Sequence, residues 1–351
     1  MVKLNNINFR AIGIEKFDNQ YCINYPLELN ADSFFVEEID EAGNVVYLEK
    51  ENNYQNSGKS FIRFKLIKRN LSTLEAIKII ADKLNISSKL FGYYGLKDKY
   101  ATTSQLLSLP FNEQLLKKIL NLSMLNSDIK ISDIHTSNEG CNLGKNVGNR
   151  FVVRFSIQHN ESDLLKGINY LKSNGVRNYF NYQRFGRKLI NLKASYALIQ
   201  GYLGIALGFL KNIKISSNQD YLKEIKKLDK RLRMLIFQSY QAYLFNKLLS
   251  RIELNSYRYI ILPGYDLFNY KDVVYFDKIQ QILSEEGICY KQLEIPSMPE
   301  IDMKCRFRKA ISFPKEISLS KEGNRYELSF ILERGEYAIN VISELFYNQI
   351  K

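Results

Sequence analysis

The sequence predicts an α+β fold interrupted by an inserted, mainly helical portion. Two observations carry this: β-type alternation sits near both ends of the chain, and helical periodicity dominates its middle. A third, the length of 351 residues, exceeds what one small core needs and suits about two domains.

Taken in order, Ser33–Ile39, Val45–Leu48 and Ser60–Lys68 are rich in β-formers and read as strands. In the third, Ile62, Phe64 and Leu66 share one face while Arg63 and Lys65 take the other. Ser72 and Glu75 form a capping box that opens a helix carrying Leu74, Ile77, Ala81 and Leu84. A glycine-punctuated segment, Gly92–Gln105, precedes a second helix near Asn112–Leu125. Arg150–Ile157 places Phe151, Val153, Phe155 and Ile157 on one side of a strand, and a helix from Ser162 stops near Gly175. Helical segments follow over Asn191–Gly208 and Asp220–Leu254. The strand Asn324–Leu332, a turn at Gly335 and a last helix close the chain.

Composition narrows the function. Lys and Arg number 50 against 37 Asp and Glu, a net charge of +13, which suits a polyanionic partner such as a nucleic acid. The aromatic residues are all Tyr and Phe, flat faces on which unpaired bases can stack. Cysteines 22, 141, 289 and 305 and the histidines His135 and His159 have no metal-ligand spacing, so no metal site is expected. Free thiols without a leader point to the cytoplasm. The most apolar stretch, Ala197–Leu210, spans 14 residues, too short for a bilayer.

Among the motifs, Gly140-Cys-Asn-Leu-Gly144-Lys145 has one residue too few between its glycines for a phosphate loop, and Asn146 stands where Ser or Thr is needed. Two histidines leave little for Ser-His-Asp or metal-activated chemistry, so a carboxylate is the expected reactive group. Gly95-Leu-Lys97-Asp98-Lys99 places one acid between two lysines in a turn. Flanking cations keep an Asp ionised, as a nucleophile requires. The same residues also fit a solvated turn in which Asp98 bonds its own backbone.

The segment Gly95-Leu-Lys-Asp98-Lys-Tyr-Ala-Thr-Thr-Ser-Gln105 resembles the signature of the tRNA pseudouridine synthase D (TruD) family. Five further blocks agree in order: Phe34-Phe-Val36-Glu-Glu38, Gly148-Asn149-Arg150-Phe151, Asn178-Tyr-Phe-Asn-Tyr-Gln183-Arg184-Phe185-Gly186, Leu244-Phe245-Asn246 and Gly335-Glu-Tyr337-Ala338. They span residues 34 to 338.

The resemblance implies a catalytic domain built on a mixed sheet with flanking helices, over residues 1–166 and 304–351, with the inserted domain at 167–303. It implies Asp98 as nucleophile, Phe34, Asn149 and Tyr337 as contacts to the target nucleotide, and Phe151 as the ring beside the uracil. Lys97, Gln105 and Arg184 are implied as site support. The expected reaction converts a uridine of tRNA, uridine-13 by family expectation, to pseudouridine, with no cofactor and no metal, in a monomeric protein. Where the family carries a basic residue before its first Phe, this chain has Glu28, and Lys97 is the candidate substitute. The family's Lys-Leu-Arg cluster upstream of Gly148 is replaced by Gly140-Cys141-Asn142, and Asn181 stands for a usual Gly. A non-catalytic RNA-binding or ribosome-associated protein would explain the charge and the aromatics equally. A carboxylate hydrolase pairing Asp98 with Glu37 or Glu38 fits the acids but not the basic surplus.

Overall fold

A computed structural model describes residues 2–3, 7–122, 124–157, 160–211, 220–254 and 258–347; His159 lies outside them. The chain divides into two compact units. The first takes Ile23–Ser173 and Phe313–Ala338 together with Val2–Lys3, and the second takes Ile7–Cys22, Asn174–Ser312 and the segment from Ile339.

The first unit is built on a nine-stranded mixed sheet. Its strands are β1 (Phe34–Ile39), β2 (Phe61–Arg69), β3 (Gly92–Tyr93), β4 (Thr102–Pro110), β5 (Met124–Asn126), β6 (Ile129–Ser137), β7 (Gly148–Ser156), β8 (Lys315–Glu322) and β9 (Arg325–Glu333). The spatial order is β8-β9-β7-β1-β4-β2-β6-β5, with β3 also paired to β4. Only β1 and β4 run parallel; every other pair is antiparallel.

Helices α1 (Thr73–Leu84) and α2 (Glu113–Leu120) cover one face at the β2 side. Ser72 caps α1 as its sequence requires: its hydroxyl accepts the Glu75 amide while the Glu75 carboxylate accepts the Ser72 amide. Ile77, Ile80, Ala81 and Leu84 then fall on one stripe and meet Ile62, Phe64 and Leu66 of β2 in a dry core. Each of the Ile, Leu and Phe side chains contributes about 1.5–3 kcal/mol by leaving water. The opposite face of β2 is not open to solvent. Arg63 and Lys65 are buried there, paired with Glu41 at 2.7 Å and Asp133 at 2.9 Å.

Register carries the sheet's geometry to the functional region. Residues directly opposite one another share a face, so Ile129, Lys68, Thr103, Val36, Phe151 and Phe330 form one row across β6, β2, β4, β1, β7 and β9. Two residues further along β1, Glu38 sits opposite Asn149, which sits opposite Leu332. Both rows lie on the face that α1 covers at one side.

Several elements differ from their sequence reading. Val45–Leu48 is no strand beyond a single bridge from Val45 to Ile39, because the Leu48 amide is taken by the Glu37 carboxylate. The second helix ends at Leu120, and Met124–Asn126 is strand β5. Strands β3 and β4, which fall in and beyond the glycine-punctuated segment, and strands β6 and β8, whose alternation is diluted by charged residues, differ from the sequence reading, which has no strand there.

The second unit holds α4 (Ile190–Ile199), α5 (Leu203–Lys211), α6 (Tyr221–Lys226), α7 (Lys230–Phe237), α8 (Ser239–Arg251) and α9 (Phe276–Glu285), and most of α10 (Ala338–Phe346). The helix α3 (Glu161–Asn174) precedes it. The expected helix 191–208 breaks at Gly201, φ 82°, and the expected helix 220–254 is three, with Asp229 capping α7.

Residues 7–22 and 339–347 cluster with this unit, whereas the sequence reading grouped both ends with the other portion. Local chemistry explains the docking. Asn246 donates to the carbonyls of Ile12 and Phe180, and the Glu344 carboxylate accepts the amides of Asp18 and Asn19. Arg177 bonds Asp18 and the Ile252 carbonyl, and Phe9 and Phe17 pack on Tyr347. Among the described residues no helix is long and apolar enough to cross a membrane.

Candidate active site

The loop from Tyr94 to Ala101 joins β3 to β4 and is tied down over the sheet by three polar links. Gln105 on β4 donates to the Gly95 carbonyl at 3.2 Å. Its side-chain oxygen accepts from the hydroxyl of Thr73, the first residue of α1, at 2.8 Å. That hydroxyl in turn accepts the Lys97 amide at 2.9 Å. Thus α1, β4 and the loop share one buried hydrogen-bond chain, and Asp98 follows directly after its last member.

The lysines beside Asp98 are directed elsewhere. Lys97 Nζ lies 2.6 Å from Glu38 Oε1 and donates to Asn149 Oδ1 at 2.6 Å. Glu38 is fully buried, and its second oxygen accepts the Leu106 amide at 2.9 Å. Burial raises the Glu38 pKa, and the Lys97 ammonium opposes that rise. Lys99 pairs at 2.7 Å with Glu75 of the α1 capping box. The sequence reading had both lysines serve Asp98. In the fold their ammonium groups serve Glu38, Asn149 and Glu75.

The cation placed at Asp98 is Lys68, which the sequence reading missed. Its Nζ donates to the Asp98 main-chain carbonyl at 2.7 Å, and its side chain is fully buried. Burial lowers its pKa to about 8, with Lys97 adding to the fall and Asp98 and Glu75 opposing it. A signal existed in the sequence: Lys68 has the same strand parity as Ile62, Phe64 and Leu66, so a charged residue stands on a core-facing position.

The aromatic candidates form a row. Phe34 and Phe151 stack with centroids 6.0 Å apart and planes 10° off parallel, and Phe151 lies 5.6 Å from Phe330. Phe34 is 8% exposed and Phe151 5%, so most of each ring is already covered. Tyr337 is half-buried and follows the turn at Gly335, just beyond the end of β9 that pairs with Gly148. Arg184 belongs to the second unit, where its guanidinium lies 5.8 Å from the Phe180 ring centre and donates to Gln238. The fold therefore brings Asp98, Lys97, Gln105, Asn149, Phe34 and Phe151 onto one face of one sheet and leaves Arg184 on the other unit. A surface recess lined by Asp32, Arg154, Phe155 and Tyr326 lies at the opposite end of β7 and includes none of the candidates. Among the described residues no three His, Cys, Asp or Glu side chains are grouped to hold a metal ion.

The site offers a carboxylate residue on a pinned loop, a buried ammonium bonded to that residue's main-chain carbonyl, and a stacked pair of rings on the same sheet. Such a set can hold a flat base and act on its sugar without a histidine. The fold is shared with a crystal structure of a Methanosarcina mazei protein assigned as tRNA pseudouridine synthase D, at a TM-score of 0.68 over 97% of this chain and 98% of that one. Identity there is 20%, so this likeness speaks for the fold class: a mixed sheet with flanking helices. The sequence profile of tRNA pseudouridine synthase D (TruD) matches residues 21–210 and 253–345. A Methanococcus maripaludis protein named "Probable tRNA pseudouridine synthase D" is 27% identical, over 97% of this chain and 98% of its own. A Helicobacter pylori protein named tRNA pseudouridine synthase D is 31% identical, over 78% of this chain and 65% of its own. The chain belongs to the tRNA pseudouridine synthase D family.

Proposed function

We propose that this protein isomerises a uridine of tRNA, uridine-13 by family expectation, to pseudouridine, with Asp98 as nucleophile. The observation that carries the reading is the loop itself. A solvated turn needs no anchoring, yet this one is fastened through Gln105, Thr73 and Lys68 over a sheet row that ends in Phe151 and Phe330.

A uridine inside folded RNA must leave its stack before an enzyme can reach its glycosidic bond. The flipped ring lies beside Phe151, with Phe34, Asn149 and Tyr337 contacting the nucleotide. Stacking on such rings contributes about 1–3 kcal/mol per base. Asp98 promotes cleavage of the N1–C1′ bond; the freed uracil turns in place, and C5 bonds to C1′. The C5 proton leaves and N1 regains one, so composition is unchanged. Lys97 orients Asn149, Gln105 anchors the loop, and Arg184 has a supporting role. The catalytic part is the unit holding Asp98, and the inserted domain is the helical one. The reaction takes place in the cytoplasm.

The test is Asp98→Asn, which keeps the side chain's shape and most of its hydrogen bonding, so a merely structural residue tolerates it at a cost of about 1 kcal/mol. Incubation with unmodified tRNA, read by carbodiimide-dependent reverse-transcription stops, is expected to show pseudouridine with the wild type and none with the variant. Melting temperature and tRNA affinity are expected to stay close to wild type. Full activity in Asp98→Asn would overturn the nucleophile; tRNA binding without pseudouridine from the wild type would favour a non-catalytic RNA-binding protein.

A further inference from the structure

We infer that Lys68 is the positioning residue for Asp98, holding the Asp98 main-chain carbonyl with a buried ammonium so that the carboxylate stays aimed. This rests on the reading of Asp98 as nucleophile.

Three features of Lys68 point the same way. It is the last core-facing position of β2, in the row that continues through Thr103, Val36 and Phe151. It is fully buried, and its hydrogen bond goes to the residue that carries the chemistry. Its charge is costly to the fold: a buried ammonium with one hydrogen bond is expensive, and a Leu or Met would continue the apolar face of Ile62, Phe64 and Leu66 at lower cost. A residue held against the stability of the fold is what a functional constraint produces.

The charged groups facing Lys68 are Asp98 and Lys97 on the loop and Glu75 on α1. Lys97 and Glu75 pair with Glu38 and Lys99, and the one hydrogen bond of the Lys68 ammonium goes to Asp98. With the ammonium neutral above about pH 8, the carboxylate loses its supporting cation and the loop loses a donor. An arginine at the same place stays charged throughout that range.

Single-turnover rates on saturating unmodified tRNA transcript test this across pH 5.5–9.5 (a span of about four units around the usual Lys and His range) for wild type, Asp98→Asn, Lys68→Met and Lys68→Arg. Lys68→Met is expected to react about a hundredfold more slowly, the usual scale for one lost electrostatic support, with the alkaline limb tied to the Lys68 ammonium lost. Its tRNA affinity is expected within about threefold of wild type, and its melting temperature unchanged or raised. Lys68→Arg is expected to restore at least a tenth of the rate and to shift the alkaline limb upward. Wild-type rates and limbs in Lys68→Met, with Asp98→Asn inactive, would overturn the role of Lys68 and leave Asp98 standing. An active Asp98→Asn would instead remove the reading beneath it. If Lys68→Met does not fold, the alkaline limb of Lys68→Arg decides, and a limb identical to wild type overturns the proposal.

Discussion

Phe34 and Tyr337 illustrate how two residues of one candidate site differ physically. Phe34 is buried against Phe151, so Phe34→Ala opens a cavity beside a stacked ring as well as removing the nucleotide contact proposed for it. It is expected to cost about 3–5 kcal/mol of stability by chemical denaturation, and Phe34→Leu to recover most of that while leaving turnover impaired. Tyr337 is only half-buried, so Tyr337→Ala is expected to change stability by about 1 kcal/mol or less and to act on turnover. In both, tRNA affinity is expected to stay within about tenfold, since phosphate contacts dominate binding. A Tyr337→Ala protein that unfolds like Phe34→Ala would make Tyr337 a core ring.

At the scale of elements, α10 shows how a helix is docked by a buried acid rather than by its apolar stripe alone. Glu344 accepts the amides of Asp18 and Asn19, and burial pushes its pKa up to about 7. The folded chain therefore holds a proton that the unfolded chain releases from about pH 4.5 upward, and stability falls as pH rises between those values. At about 1.36 kcal/mol per pKa unit, the decline attributable to this group reaches roughly 3 kcal/mol by pH 7. Glu344→Gln is expected to abolish that part of the slope in urea titrations at pH 5 to 7.5, urea being the usual probe of such differences and the span covering about two and a half units. Parallel slopes for variant and wild type would show that Glu344 is ionised throughout. The same scale explains where sequence patterns sufficed. The capping box of α1 acts through residues three apart, so its sequence and its structure coincide. The long helical pattern 220–254 did not reveal its breaks, because Asp229 caps α7 in the middle of otherwise good helix-formers.

For the whole molecule, the surplus of 13 positive charges predicts a salt-dependent affinity for tRNA. Each phosphate contacted releases about 0.7–0.9 counterions, so several contacts make affinity fall tenfold or more between about 50 and 200 mM salt. A filter-binding series with tRNA is expected to give a straight line of log Kd against log salt with a slope of several. A flat line would count against an RNA substrate.

What the sequence by itself determined are features made within a few residues or summed over all of them: the strand parity of β2, the cap of α1, the basic surplus and the ordered blocks around Asp98. Only the tertiary structure decided which groups meet. Lys97 and Lys99 are Asp98's neighbours in sequence, yet their ammonium groups go to Glu38 with Asn149 and to Glu75, while Lys68, thirty residues away, holds the Asp98 carbonyl. Adjacent residues in a turn point in different directions, whereas strand register lines up residues from distant segments along one row, and register follows from the packing of the entire sheet. That is why strand parity could mark Lys68 as a charged residue on a core-facing position, while only the fold showed that it meets the Asp98 carbonyl.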